Sequence, residues 1–130
     1  METEVSKRIQ DTEALAASVE SDAPRVTLDD ILNKIKKKKF IRIDDDLDIN
    51  DDGISTVCIA RLENGFFVFG QATPASPERF DPMIGQRNAF DHVVSQTWLL
   101  EGYLLRQRLW EARQSGIVVP TEEHHNEVSA

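Results

Sequence analysis

The stretch from Pro82 to Ser115 has no proline after its first residue, and it limits the possible folds more than any other feature. Asp81 before Pro82 is a typical helix start, and Gly116 is a typical stop. The pattern predicts one helix of about thirty residues, roughly 45 to 50 Å long. Its two apolar rows are Ile84, Val94, Trp98, Leu105, Leu109 and Phe90, Val93, Leu100, Leu104. Because a small domain cannot cover such a length with its own sheet, part of this surface should meet a second copy of the chain.

Residues 55 to 72, STVCIARLENGFFVFGQA, carry the clearest strand signal. Two runs rich in β-branched and aromatic residues flank Asn64-Gly65, which readily adopts the positive φ angles of a type I′ turn. The pairs that such a two-residue turn would bring face to face are Leu62 with Phe67, Ala60 with Phe69, and Arg61 with Val68. Both faces would be mostly apolar, so we expect further strands, a covering helix on one face and a second subunit on the other.

A shorter amphipathic helix is predicted before the hairpin, with Thr27 as its N-cap. Asp29 and Asp30 would lie in its first turn and Lys36 to Lys39 in its last, as the helix dipole favours. The lysine run is then interpreted as a solvated helix end, with a phosphate-contacting patch as the alternative. The residues that give this helix its i, i+3, i+4, i+7 spacing are Leu28, Ile31, Leu32 and Ile35.

Together these patterns predict an α+β fold with an N-terminal helix, an antiparallel sheet built on the central hairpin and one long C-terminal helix. Residues 25 to 116 would form the single domain. Residues 1 to 24 contain few large apolar side chains, so we expect a flexible tail whose deletion leaves folding intact. Residues 117 to 130 would form a second flexible tail. Its Glu122, Glu123, His124 and His125 fit a disordered end better than a metal site.

Six aspartates fall within residues 44 to 53 and repel one another, which favours a loop. Asp48, Asn50, Asp52 and Gly53 match the start of a calcium-binding EF-hand loop. The twelfth position, which should carry glutamate, is Ile59. An acidic turn before a strand is therefore preferred to a calcium site, and no metal is expected.

The charge balance limits the functional classes. Fifteen basic against twenty-three acidic residues give a formal charge of −8, whereas proteins that bind duplex nucleic acid or anionic membranes normally need a net basic surface. No apolar stretch is long enough to span a membrane, and the N-terminus lacks the apolar core of a signal peptide. Cys58 is the only cysteine. We therefore expect a cytoplasmic protein with Cys58 as a packed core thiol.

No catalytic motif is recognisable: there is no nucleophile elbow, phosphate loop, zinc-binding helix or paired-cysteine signature. His92 is the only histidine outside the C-terminal tail, and Asp91 and Glu101 fall on other helix faces or turns. The sequence therefore predicts a binding protein without a cofactor, and not an enzyme.

Polar residues concentrate at two places on the predicted long helix. They are interpreted either as a solvated face or as a ligand site where subunits meet. In the second interpretation arginines make forked contacts with phosphates, Asn88 or His92 reads a base edge, and an aromatic ring stacks on the base. The residues concerned are Gln86, Arg87, Asn88, His92 and Gln96 near the start, and Arg106 and Arg108 near the end.

Four blocks of the sequence resemble a family of small tailed-phage proteins, the gene product 49 or gene 66 family, which includes Thoeris anti-defence proteins. They are GFFVFG at residues 65 to 70, SPERFD at 76 to 81, IGQ at 84 to 86 and WLLEGYLLRQRL at 98 to 109. Their spacing matches the family pattern without gaps. Residues 27 to 40 also look like the family's opening helix.

The resemblance implies a phage protein that forms a dimer or a multiple of dimers and counters host defence. It would sequester a cyclic nucleotide or cyclic ADP-ribose-type immune signal, of the Thoeris or CBASS kind, without cleaving it. A candidate from another class is an acidic protein that inhibits a host protein by direct binding, with Asp44 to Asp52 imitating DNA phosphates. The candidate ligand-binding residues are Arg106, Arg108, Arg87, Asn88, His92, Phe80 and Phe90.

Overall fold

The computed structural model describes residues 5–43 and 54–116. They form an α+β fold with three helices and a three-stranded antiparallel sheet. The α+β class, the antiparallel sheet and the long C-terminal helix are as predicted, whereas the first helix lies in a segment predicted to be a flexible tail. The elements are α1 (Lys7–Ala17), α2 (Leu28–Lys34), β1 (Ile35–Ile43), β2 (Ser55–Leu62), β3 (Phe67–Ala72), a short 3-10 helix (Pro77–Arg79) and α3 (Pro82–Ser115). The acidic segment 44 to 53 and the segment 117 to 130 lie outside the described residues. The predictions of an acidic turn, of DNA mimicry and of a C-terminal tail fall on these segments.

Helix α3 has the ends that the sequence predicts. The Asp81 carboxylate accepts hydrogen bonds from the backbone N–H groups of Met83 and Ile84, and Gly116 ends the helix with a φ of 75°. Its 34 residues extend for about 51 Å. No residue after Leu105 is fully buried, so the end of α3 is only partly covered by the described chain. Neither α3 nor another helix of the described ranges is long and apolar enough to cross a membrane.

The β2–β3 hairpin is confirmed, but its register differs from the prediction by one residue. The loop holds residues 63 to 65, because the Leu62 N–H donates to the Phe66 carbonyl at 2.8 Å and the Gly65 N–H donates to the Leu62 carbonyl at 2.9 Å. Gly65 has a φ of 93°, as in three-residue hairpin loops that end on a left-handed glycine. The expected pairs Leu62–Phe67, Ala60–Phe69 and Arg61–Val68 are therefore wrong. The observed pairs are Arg61–Phe67, Ala60–Val68, Ile59–Phe69 and Cys58–Gly70.

This shift of one residue reverses the faces of β3 relative to β2. On the inner face, which packs against α3, the buried apolar side chains are those of Cys58, Ala60, Leu62 and Val68. The opposite, outer face carries Phe67 and Phe69, which are 52% and 55% exposed. The two rings expected beside Leu62 and Ala60 therefore lie on the other side of the sheet.

Gly70 allows α3 to lie directly on β3. A Cβ atom at this position would lie 2.2 Å from the Ala89 carbonyl oxygen and 2.8 Å from the Val93 backbone nitrogen. Both are main-chain atoms of α3, so they cannot move without displacing the helix. Ala89 and Val93 are completely buried at this contact.

Helix α2 is shorter than predicted, because the chain continues from Lys34 directly into β1. Thr27 caps α2 as expected: its hydroxyl accepts from the Asp30 N–H at 3.1 Å, and the Asp30 carboxylate accepts from the Thr27 N–H at 2.9 Å. The placement of Lys36 to Lys39 in a last helical turn is wrong, since they lie in β1, which pairs with β2. Lysines on an edge strand discourage pairing with another sheet.

Residues 5 to 17 differ from the flexible tail that the sequence suggested. Val5 is buried, and Ile9 of α1 packs against the same core. The Ser6 N–H donates to the buried Asp91 carboxylate of α3 at 2.9 Å, and the Ser6 hydroxyl accepts from the Ile9 N–H at 3.4 Å. Helix α1 is therefore docked against α3 through its first turn.

Candidate functional site

The start of α3 brings together three of the predicted ligand-binding residues. Phe80 follows the 3-10 helix, and Arg87 and Asn88 lie in the second turn of α3. Two neighbouring depressions meet here. Asn88 and Ile84 line both of them, Phe80 lines one, and Arg87 lines the other. Phe80, Arg87 and Asn88 are called the helix-start site below.

Two further arginines, which were not predicted from the sequence, lie at the helix-start site. The guanidinium carbon of Arg42 lies 4.8 Å from the centre of the Phe80 ring, which is a cation–π contact. Arg79 is exposed and lines the same depression as Phe80. Arg42 belongs to β1, so only the tertiary fold brings it to Phe80. The site therefore combines positive charge with an aromatic ring and the Asn88 amide.

His92 is engaged elsewhere, at the edge of β3. Its Nδ1 accepts a hydrogen bond from the Gln71 backbone N–H at 3.0 Å. Gln96 Nε2 donates to the Phe69 carbonyl at 2.6 Å and lies 3.0 Å from His92 Nε2. Because β3 is an edge strand, these two side chains satisfy backbone groups that have no neighbouring strand.

Phe90, the other aromatic candidate for base stacking, lies in the core. Its side chain is 3% exposed, and Lys38 Nζ lies 5.1 Å from the ring centre. Its ring has no open face for a ligand. Of the two rings that the sequence left as alternatives, the structure brings Phe80 alone to the helix-start site.

Arg106 and Arg108 lie near the other end of α3. The helix rises about 28 Å between Arg87 and Arg106. Residues two apart on a helix differ by about 200° around its axis, so Arg106 and Arg108 point to different sides. The charge of Arg108 acts on Glu101. A single chain therefore does not unite these two arginines with the helix-start site.

Glu101 is a buried carboxylate between α2, the hairpin loop and α3. Lys34 Nζ lies 2.8 Å from Glu63 Oε2 and 3.8 Å from Glu101 Oε1. Burial raises the pKa of Glu101, Lys34 lowers it and Glu63 raises it further. Glu101 Oε1 has no hydrogen-bond partner within the described residues. Lys34 thus holds two carboxylates, one of them in a poorly solvated place.

A large part of the chain, including every residue of the helix-start site, matches a known family. Residues 26–109 match the phage protein (N4 Gp49/phage Sf6 gene 66) family. The chain belongs to this family. No curated protein and no solved structure matches it. Helix α1 precedes the matched range, so the docked N-terminal helix lies outside the part of the chain that matches this phage protein family.

The C-terminal half of α3 in this phage protein presents apolar side chains to solvent. Leu99, Tyr103 and Trp110 share one side of the helix, with Leu100 and Leu104 beside them. Contiguous exposed apolar surface of this kind marks an interaction site. The five residues, called the terminal apolar face below, are exposed as follows: Leu99 75%, Leu100 39%, Tyr103 67%, Leu104 44% and Trp110 49%.

Cys58 lies in the core of this phage protein. It is completely buried, and burial raises the pKa of its thiol to about 11. Such a thiol stays protonated at neutral pH and is a poor nucleophile. Within residues 5–43 and 54–116, no group of three or more His, Cys, Asp or Glu side chains is placed to hold a metal ion.

Proposed function

We propose that this phage protein binds a cyclic nucleotide signal at the helix-start site and sequesters it without cleavage. The observation that carries the proposal is the convergence of Phe80, Arg87 and Asn88 with the additional charges of Arg42 and Arg79. Arginine matches phosphate oxygens with a fork of N–H donors. The half-buried Phe80 ring supplies a stacking surface for a base, and the Asn88 amide supplies a directional hydrogen bond.

Binding without chemistry is favoured by the positions of the other reactive side chains. His92 is hydrogen-bonded to the β3 edge, and the Cys58 thiol is buried in the core. Phe80, Arg87 and Asn88 bind nucleotides but do not act as general bases at neutral pH. Asp81 lines the same depression, but its Oδ1 caps α3 by accepting hydrogen bonds from the Met83 and Ile84 N–H groups. A cyclic phosphodiester held there would be returned intact.

A second copy of the chain would extend this site. The terminal apolar face gives α3 a surface on which another chain can pack, and Arg106 borders it because Arg106 lies between Tyr103 and Trp110 in sequence. In a dimer or a multiple of dimers, Arg106 of one copy can reach the ligand held by another. This arrangement would unite arginines that one chain keeps about 28 Å apart.

Ligand capture tests the first part of the proposal. The protein is incubated with cyclic dinucleotides, cyclic trinucleotides and cyclic ADP-ribose isomers, removed by filtration, washed and heated, and the released molecules are identified by mass spectrometry. Release of one intact ligand is the expected result. A cleaved product would show an enzyme, and depletion of no ligand would favour the inhibitor of a host protein.

Variants locate the captured ligand. Arg87→Ala and Asn88→Ala should each weaken binding about tenfold to a hundredfold, because each removes a hydrogen bond to a charged or buried group. Arg113→Ala is the matched control, since Arg113 is also exposed on α3 but lies in its last turn. Equal affinities for Arg87→Ala and Arg113→Ala would place the ligand elsewhere.

Mixing two variants tests the contribution of a second copy. Arg87→Ala and Arg106→Ala should each bind weakly alone. After subunit exchange at equal concentrations, random pairing should restore about a quarter of the intact sites, because half of the dimers are mixed and each mixed dimer has one intact site. No recovery, with exchange verified by tagged subunits, would show that each site lies within one chain.

A further inference from the structure

The outer face of the sheet has a surface chemistry that the proposed function does not use. Its cross-strand rows follow the sheet register: Lys37, Arg61 and Phe67 form one row, and Lys39, Ile59 and Phe69 form the next. Helix α3 packs on the inner face, where Phe90 and the buried β2 side chains lie. The outer face is therefore separate from the helix-start site, whose Arg42 reaches Phe80 from the inner side of β1.

The aromatic part of this face is a pair of exposed rings. Phe67 and Phe69 are 52% and 55% exposed, and their ring centres lie 6.5 Å apart with planes inclined by 33°. Each ring therefore presents its own surface to solvent. Large apolar rings on an uncovered sheet face cost solvation free energy, so a role in binding explains their position better than folding does.

The charged part of this face is entirely basic. Among the described residues that point outward from the three strands, the charged ones are Lys37, Lys39 and Arg61. Within residues 5–43 and 54–116, none of them forms an ion pair or a hydrogen bond through its side chain. Since no carboxylate among residues 5–43 and 54–116 points outward from the strands, these three cations form a local positive patch in a chain whose net charge is −8.

These charges decide between the possible occupants. If two copies met through this face around a two-fold axis, the contact would bury basic groups from both sides, and the outward-pointing residues of the three described strands would supply no acidic partner. A polyanion with flat apolar groups satisfies both parts of the surface. Single-stranded nucleic acid has this chemistry, because its phosphates attract cations and its unpaired bases stack on aromatic rings exposed by a sheet.

We propose that the outer face of the sheet binds single-stranded nucleic acid. Phe67 and Phe69 each stack on one base, and Lys37, Lys39 and Arg61 contact phosphates of the same strand. Duplexes are excluded, since their bases are already stacked and cannot lie flat on the rings. Because the proposal concerns another face, it stands or falls independently of cyclic nucleotide capture at the helix-start site.

Fluorescence anisotropy with labelled twelve-nucleotide oligonucleotides tests the proposal. The full chain should bind oligo-dT or oligo-U and not a duplex of the same length. Three phosphate contacts predict that log Kd changes with log salt concentration with a slope of about 2 in magnitude. No binding to either single strand at low salt would overturn the proposal.

Variants assign the binding to this face. Phe69→Ala should weaken it by about fivefold to a hundredfold, the usual range for one stacked base. Phe66→Ala is the matched control, because Phe66 is 57% exposed but precedes β3 and, by strand alternation from Phe67, is not on the outer face. Equal losses for Phe66→Ala and Phe69→Ala would refute the assignment, as would a change of oligomer mass with Phe69→Ala in the absence of nucleic acid.

Charge variants give a readout that does not depend on the rings. Lys39→Gln should reduce the magnitude of the salt slope by about 0.7, whereas Lys7→Gln, at an exposed side chain of α1, should leave it unchanged. Arg87→Ala should keep full oligonucleotide affinity while its cyclic nucleotide affinity falls about tenfold to a hundredfold. If Arg87→Ala removes both activities, the two ligands share the helix-start site and the outer face is not a separate site.

Discussion

On β2 and β3, the inner face of the sheet carries side chains no larger than leucine, and the outer face of β3 carries two phenylalanines. Ala60, Cys58 and Gly70 lie beneath α3, whereas Phe67 and Phe69 face solvent. The main chain of α3 passes so close to β3 that the inner face has no room for a side chain at Gly70, whereas the Phe40 ring is accommodated on the inner face of β1. The distance between the sheet and the covering helix therefore limits side-chain size on the inner face of β3. The aromatic outer face has no such explanation and therefore points to binding.

The largest expected effect comes from adding one methyl group to the inner face. Gly70→Ala would place Cβ against the Ala89 carbonyl oxygen and the Val93 nitrogen. We expect a loss of about 3 kcal/mol or more in the free energy of unfolding, at the upper end for overpacked sites. Urea denaturation measures it. A loss below about 1 kcal/mol would show that α3 can move away from β3 at little cost.

The sequence predicts the elements better than it predicts how they pack. Local signals are enough for the α3 ends, where Asp81 and Gly116 act within one turn, and for the existence of the hairpin. The hairpin register depends on whether Asn64 and Gly65 close a two-residue or a three-residue loop. Both loops suit the same residues, and contact with α3 selects the one that turns Val68 and Gly70 inward.

In the candidate site, too, some features follow from the local sequence and others depend on how the elements pack. Phe80, Arg87 and Asn88 lie within nine positions of the sequence, so their proximity follows from one turn and one helix. Arg42 comes from β1, and only the tertiary fold brings it to the Phe80 ring. The burial of Phe90 also depends on this packing, because the apolar rows of α3 do not reveal which one faces the sheet.

Removing α1 should have the second largest effect on the free energy of unfolding. This deletion compares the core with a helix in a segment that the sequence predicts to be a flexible tail. Deletion of residues 1 to 22 exposes the contacts of Val5 and Ile9 and leaves the buried Asp91 carboxylate without the Ser6 N–H. We expect a loss of about 2 kcal/mol in the free energy of unfolding. Thermal denaturation of both chains tests this. An unchanged Tm would support the original interpretation of a dispensable tail.

A smaller effect on the free energy of unfolding is expected from replacing the buried Glu101 carboxylate by a neutral side chain. Burial raises the pKa of Glu101 in the folded protein. The contribution of the protonated Glu101 side chain to the free energy of unfolding is therefore present at acidic pH and is lost as the pH rises through the folded-state pKa. Glu101→Gln should therefore raise stability at neutral pH by on the order of 1 kcal/mol, because Lys34 keeps Glu63 as a partner. It should also flatten the decline of stability from acidic to neutral pH, measured by urea denaturation across that range. A steeper decline would contradict the direction of the pKa shift.

The smallest effect is expected on the outer face. Phe67→Ser removes a ring that is already half exposed, so the free energy of unfolding should change by less than about 0.5 kcal/mol. The same urea denaturation used for Gly70→Ala gives a direct comparison of the two faces. A loss as large as that of Gly70→Ala would mean that the outer face is covered and contributes to folding.

The loop at residues 63 to 65 has a consequence for how this protein can evolve. Exposed loop tips usually tolerate insertions and deletions better than any other part of a fold. Here the loss of a single loop residue would turn Phe67 and Phe69 toward α3 and move Gly70 out from under the helix. Point substitutions on the surface of this hairpin should accumulate freely among descendants. Insertions and deletions in this loop should be eliminated by selection. Aligned sequences of its descendants should therefore vary in residue type at positions 63 to 65 but contain no gaps there.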